Sequence, residues 1–264
     1  MDVIMTAHVN MKITHDFKPQ HKCLECAFRN DKFFCALPPE QLTSFAAIKI
    51  TTVYKKNSAL FIEGQPSTGV HMLCQGRVKL STNSRNGKAL ILRIAEAGEV
   101  LGLSAALANG QHGATAEAIE PCQVDFVQRG EFIRFIKANP EAGFKAIEQL
   151  NHKYQTAHAQ IRSLGLSGCV ADKLAALMLE WANHEQSVNG GVHIKVPFSH
   201  EEIGEMIGTS RETVTRLLKD FRLRELITFK RSNLQIFDTQ LLEASIGTKR
   251  SPIEHTYGNG GQPI

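Results

Sequence analysis

SHEEIGEMIGTSRETVTRLLKDFRLREL, residues 199–226, is the stretch on which the reading of this 264-residue chain turns. It divides into two short amphipathic segments around Gly208. Ser199, with Glu202 three residues on, has the reciprocal spacing of a capping box. Ile203, Met206 and Ile207 recur behind it at helical intervals. Gly208 suits the left-handed residue that ends a helix, and Thr209 with Glu212 offers a second capping box. Val214, Leu217, Leu218 and Phe221 then fall at i, i+3, i+4 and i+7, one stripe to bury. At about 100° per residue, Glu212 and Arg216 point away from that stripe, Lys219 stands near them, and Arg211 flanks the same surface. Arg can bridge guanine O6 and N7, and Glu can accept from cytosine N4. The pattern predicts a helix-turn-helix whose second helix reads base edges.

An ordinary solvated helix face is the competing reading, and the charge distribution argues against it. Residues 209–231 hold Arg211, Arg216, Lys219, Arg222, Arg224, Lys230 and Arg231 against Glu212, Asp220 and Glu225, a net +4. The whole chain is also +4, so the remainder sums to zero. The excess positive charge sits on the one segment that would face phosphates.

GTSRETVTRLLKDF, followed by a short hairpin, resembles the recognition helix and wing of the Crp/Fnr family of bacterial transcription regulators. The resemblance runs from about Cys23 to about Leu242. It implies that Arg211, Glu212 and Arg216 are the base-contacting positions of the Crp branch, with Ser210, Thr215, Lys219, Lys230 and Arg231 on the same DNA-binding surface. The Fnr branch keeps the Glu and the second Arg, has Ser where Thr215 stands, and lacks the first Arg. The resemblance also implies a homodimer on double-stranded DNA, half-sites similar to TGTGA, and RNA polymerase as a partner.

At 42% hydrophobic the chain can bury cores for two domains of ordinary size. No run approaches the roughly 18 apolar residues of a membrane span. The N-terminus lacks the apolar core of a signal peptide, so a cytoplasmic protein with reduced thiols is expected. No nucleophile–base pair, phosphate-binding glycine loop or H-E-x-x-H helix suggests an enzyme. The expected fold is α+β: an antiparallel β-roll, a long dimer helix and a winged helix-turn-helix. The expected divisions are a tail over 1–20, a cysteine-bearing cap and β-roll over 21–135, the dimer helix over 136–166, the DNA-binding domain over 167–245, and a tail over 246–264.

HKCLECAFRNDKFFC, residues 21–35, places Cys23, Cys26 and Cys35 in a C-x2-C-x8-C cluster. Thiolates at such spacing can hold one metal or cluster from a turn. The cluster also resembles the cysteines that hold a [4Fe–4S] cluster in Fnr-type oxygen sensors. Its second gap is wider, however, and the family's fourth cysteine aligns with Asp125, with Cys122 three residues earlier. Four readings stay open: an iron–sulfur cluster with Asp125 or Cys122 as fourth ligand, a zinc site with His21, a thiol–disulfide pair, or a cap that binds nothing.

Between about 46 and 128, short alternating strands are punctuated by Gly76, Gly87, Gly98 and Gly102, which predicts a small antiparallel roll. ALFIEGQPSTGVHMLCQGRVKL and GEVLGLSAALANG resemble the cyclic-nucleotide-binding β-roll. The residues argue against cAMP. The family's phosphate-binding Arg-Ser pair falls at His112 and Gly113, and the ribose-binding Glu falls at Leu103. His112 reads as a solvated loop histidine; Cys74, Cys122 and Cys169 read as small core residues.

Ile147, Leu150, Tyr154, Ala157, Ile161 and Leu164 are spaced 3, 4, 3, 4, 3, an a/d seam behind Pro140. A two-fold dimer through that seam would set two recognition helices about one DNA turn apart. A helix follows with Leu174, Leu177, Met178 and Trp181 on one face, then the strand VHIKVPF, and after the helix pair the hairpin ITFKRSNLQIFD with Lys230 and Arg231 at its tip. The activity expected is transcription regulation gated by a redox, gas or small-molecule signal at the β-roll. The alternative is a β-roll receptor acting through a protein partner with a vestigial DNA head.

Overall fold

In the computed structural model the described residues are 23–26, 33–84, 86–166, 169–182, 187–188, 191–230 and 232–245. The tails over 1–20 and 246–264, His21, Arg231 and the side chain of Leu164 lie outside them. The chain forms two compact units, residues 1–83 with 92–153 and residues 84–91 with 154–264.

Among the described residues the roll is built from eight strands: β1 (Lys49–Tyr54), β2 (Ala59–Phe61), β3 (Gly69–Gln75), β4 (Val78–Asn83), β5 (Ala89–Ala95), β6 (Val100–Leu101), β7 (Thr115–Ala118) and β8 (Cys122–Gln128). They form two four-stranded sheets, β1-β8-β3-β6 and β2-β7-β4-β5. Gly76 (φ +89°) makes the β3–β4 hairpin possible, because a Cβ there would lie 2.6 Å from Cys122 Sγ. Leu73, Val78, Leu101, Ala116 and Val124 fill the interior of the roll.

The other face of the β1-β8-β3-β6 sheet is covered by elements that the alternation did not announce. They are a 3-10 turn (Phe33–Ala36), α1 (Pro39–Ile48) and α3 (Arg129–Ala138). Phe34, Phe45, Phe132 and Phe135 pack there against Val70 and Met72, with ring centroids 5.4–5.9 Å apart. A short α2 (Leu103–Ala108) follows β6, and α4 runs unbroken from Pro140 to Leu166. Within the first unit α4 is tied down by Gln149, fully buried, which accepts from Val100 N at 2.8 Å and donates to Val100 O at 2.6 Å.

The second unit holds α5 (Val170–Ala182), β9 (Ser187–Val188), β10 (Gly191–Lys195), α6 (His200–Ile207), α7 (Arg211–Leu223), β11 (Ile227–Lys230), β12 (Asn233–Ile236) and α8 (Thr239–Ala244). Its sheet runs β11-β12-β10-β9. The predicted stripe Val214, Leu217, Leu218 and Phe221 is buried against Leu174, Met178, Ile203 and Ile236. Burying those four side chains is worth roughly 1.5–3 kcal/mol each, which makes the stripe the main reason α7 is held where it is.

Candidate nucleic-acid interface and sensor sites

α6 begins with the expected capping box. Ser199 Oγ accepts from Glu202 N at 3.2 Å, and Ser199 N donates to Glu202 Oε2 at 2.9 Å. It ends at Gly208 (φ +72°), whose N–H bonds Gly204 O. Thr209 N also bonds Gly204 O, at 2.8 Å. The second capping box is corrected, because α7 starts at Arg211 and its N-cap falls one residue after Thr209. Ser210 is the N-cap instead, its Oγ accepting from Thr213 N at 3.3 Å. The helices approach so closely at this turn that a Cβ on Gly204 would stand 2.8 Å from Thr209 O.

With its stripe buried, α7 leaves Arg211, Glu212, Thr215, Arg216 and Lys219 exposed, with Ser210 exposed ahead of them. Backbone and Ser210 hydrogen bonds at the helix start hold the Glu212 carboxyl below its usual range, so it stands as an anionic acceptor. Thr215 Oγ1 donates to Arg211 O at 2.9 Å, spending its only proton. His200 Nδ1, 2.8 Å from the same oxygen, is therefore the donor. The Thr215 hydroxyl is thus engaged by Arg211 O and His200 while the residue stays exposed. His200 was not anticipated; as the first residue of α6 it gave no sequence signal of reaching Thr215. β11 and β12 pair Lys230 with Asn233, and Lys230 is exposed at the hairpin end.

On α4, Ile147, Tyr154 and Ile161 are exposed large apolar side chains, joined by Phe144, and Ala157 is exposed as well. The strict seam is corrected at Leu150, which packs against the core of its own roll because it shares a face with Ala146 and Ala142.

In the roll, His112 is buried rather than solvated and stacks on Phe61 at 3.9 Å. Burial holds its pKa below the ordinary value, and burial with neighbouring His112 brings His71 down to about 4. Both imidazoles are therefore neutral. Leu103, the first residue of α2, is buried.

Beneath the cap, three strands converge on one carboxylate. Asp125, fully buried on β8, accepts from Lys49 Nζ at 2.6 Å, from Thr51 Oγ1 at 2.6 Å and from Cys74 Sγ at 3.2 Å. Burial raises the pKa of the Cys23 thiol, the Asp125 charge adding to the shift and the Lys49 ammonium opposing it. Burial alone would lower the Lys49 pKa, but the Asp125 bond and charge outweigh it and the ammonium is held above its usual value. Cys74 is thus corrected from inert filler to a member of this centre. Its thiol is pushed well up, first by burial and then by Asp125. The β3 bulge between Leu73 and Gln75 aims it there. Cys169 is exposed, not core. Cys122 packs in the roll interior, its Sγ within hydrogen-bonding distance of Arg77 O (3.3 Å) and Glu120 O (3.2 Å), so it is turned away from the cap.

Three thiols and a carboxylate are a suitable donor set for a [4Fe–4S] cluster or zinc. Among the described residues the arrangement fits neither: no three His, Cys, Asp or Glu side chains lie where one metal ion could hold them, and Asp125 Oδ2 is already taken by the Lys49 ammonium at 2.6 Å.

A winged helix-turn-helix joined to a cyclic-nucleotide-binding-like roll defines a class of DNA-binding transcription regulator. Comparison with known proteins agrees. Residues 51–139 match the cyclic nucleotide-binding domain, and residues 172–245 match the Crp-like helix-turn-helix domain, together more than half of the chain. The chain is 26% identical over 188 residues to the cAMP-activated global transcriptional regulator CRP of Pasteurella multocida, covering 71% of this chain and 90% of that one. It is 23% identical over 198 residues to the global nitrogen regulator of Nostoc, covering 74% and 89%. Its fold is that of FixK2 from Bradyrhizobium japonicum (TM-score 0.65, 22% identity, 75% and 96% covered) and of a CooA mutant from Carboxydothermus hydrogenoformans (TM-score 0.69, 21% identity, 81% and 94% covered). The chain belongs to the Crp/Fnr family of transcription regulators. Among the described residues no helix is long and apolar enough to cross a membrane.

Proposed function

We propose that this regulator works as a homodimer on a two-fold DNA site with TGTGA-like half-sites, read by Arg211, Glu212 and Arg216, with Ser210 and Thr215 on the same DNA-facing surface. The observation that carries the reading is the arrangement of α7: its apolar stripe is wholly buried while these side chains stand in solvent from the first two turns. Lys219, Lys230 and Arg231 supply phosphate contacts. The exposed apolar side chains of α4 form the dimer seam. RNA polymerase is the output partner, and the chain catalyses no reaction.

The gating signal reaches the roll or its cap and is not cAMP. A cyclic phosphate needs a cation and polar donors, whereas His112 is neutral and buried and Leu103 offers no polar atom. Binding-site selection from random duplexes tests the DNA reading. The native protein is expected to return a TGTGA-like palindrome. Arg211→Ala is expected to lose about 1–3 kcal/mol and to relax one base position per half-site. An unchanged preference in that variant would refute the assignment.

A further inference from the structure

One imidazole, that of His200, touches three elements of the DNA head. His200 is the first residue of α6 and is half-buried. Its Nδ1 lies 2.8 Å from Thr215 Oγ1 on α7, and its ring lies 5.8 Å, between centroids, from Phe229 on β11. Thr215 Oγ1 carries the line on to Arg211 O at 2.9 Å. A chain of two hydrogen bonds therefore runs from the start of α6 to the backbone of the first residue of α7. Charged groups surround it unevenly. On α7, Arg211 and Lys219 stand one turn before and one turn after Thr215, with Glu212 next to Arg211. On β11, Lys230 follows Phe229. On α6, Glu202 is folded back on Ser199 and Glu201 is exposed.

We propose that His200 couples DNA reading to proton uptake: with its Nδ1–H held by Thr215, its Nε2 takes a proton from solvent when the phosphates of a half-site close on α7. The proposal rests on α7 being the helix that reads DNA. The Thr215 proton is spent on Arg211 O, so the neutral ring is the Nδ1–H tautomer and Nε2 is the one atom left to gain a proton. In the free protein burial, and then the Arg211 charge, hold the His200 pKa below its ordinary value, so the ring is neutral at neutral pH. The phosphates bring a negative potential that offsets the Arg211 charge and favours the imidazolium. Protonation at Nε2 leaves the Thr215 bond in place, so α7 keeps its position while the interface gains a positive charge. The bound protein then holds more protons than the free one, and affinity rises as pH falls toward the ordinary histidine range, about 6.5.

The test measures affinity of the full chain for a duplex carrying the two-fold TGTGA-like site, from about pH 6 to about pH 8.5 at fixed salt. The native protein, His200→Gln and Arg211→Ala are compared. The native protein is expected to gain at least about threefold in affinity per half-site on going from pH 8 to pH 7, with about tenfold the limit for one proton. His200→Gln, whose amide can still donate to Thr215 but cannot titrate, is expected to lose that slope. Calorimetric titration of the native protein in buffers of different ionisation enthalpy counts the protons directly, and uptake of up to one per half-site is expected near pH 7. A native affinity that is flat with pH, no proton uptake, or a slope retained in His200→Gln would overturn the proposal. If Arg211→Ala still weakened binding in those cases, the DNA reading would stand without it. Absence of salt-sensitive DNA binding at every pH would overturn both.

Discussion

Arg211, Glu212 and Arg216 stand in solvent on α7, whereas Lys49 and Asp125 are shut beneath the cap at 2.6 Å from each other. Water already satisfies the first set, so those charges add little to folding and remain available to a partner. The second set has no water, and each member must be compensated where it stands. The same residue types therefore do different work in the two units. On α7 they form a surface whose loss should be felt in binding, and under the cap a joint whose loss should be felt in folding.

The sharpest way to break that contrast is Asp125→Asn, which leaves the Lys49 ammonium buried and short of its counter-charge. A loss of about 3–5 kcal/mol is expected, the cost typical of removing one partner from a buried pair, read by urea unfolding of the β-roll. Arg211→Ala in the same assay should leave stability unchanged while DNA affinity falls. If both variants lost stability equally, the division between surface and joint would be wrong.

Lys153 lies between the two cases. It donates to Val100 O at 2.9 Å, and burial, with Arg93 adding, lowers its pKa from 10.5 to about 7. Below about pH 7 the folded and unfolded chains both hold the proton, and the cost of burying the charge is fully present. Above that value only the unfolded chain keeps it, so stability rises with pH toward 10.5. Lys153→Met is therefore expected to be more stable than the native protein at pH 6. The gap should close above pH 7 by up to about 1.4 kcal/mol per pH unit. Paired unfolding curves across that range check the sign.

The DNA head was legible because its evidence is local. A 3.6-residue stripe, the Ser199–Glu202 box and Gly208 lie within ten to twenty residues, and local spacing sufficed to place all four buried positions of α7. Its one slip, Thr209 for Ser210 as the cap, arose because the two neighbours both carry hydroxyls and only the Ser210 Oγ–Thr213 N bond separates them. The joint under the cap was half legible. Family alignment reached Asp125, but Lys49 reads as a solvated lysine in an alternating strand, and its partner lies 76 residues away. Cys74 could not be oriented by alternation, since the bulge re-aims it. α1 is marked in the sequence by Pro39 at its first turn and Glu40 behind it.

The smallest expected effect sharpens the surface side of the contrast. Lys230 is exposed where β11 meets its turn, and nothing in its position aims it at a base edge. Lys230→Ala should weaken binding to every duplex alike, by about 1 kcal/mol or less, and should reduce the slope of log affinity against log salt by about 1. Arg211→Ala should instead discriminate between duplexes by the base at one position. Titrating both variants against specific and scrambled duplexes at several salt concentrations separates the outcomes. If Lys230→Ala changed the base preference, the wing would be entering a groove, and sequence reading would not be confined to α7.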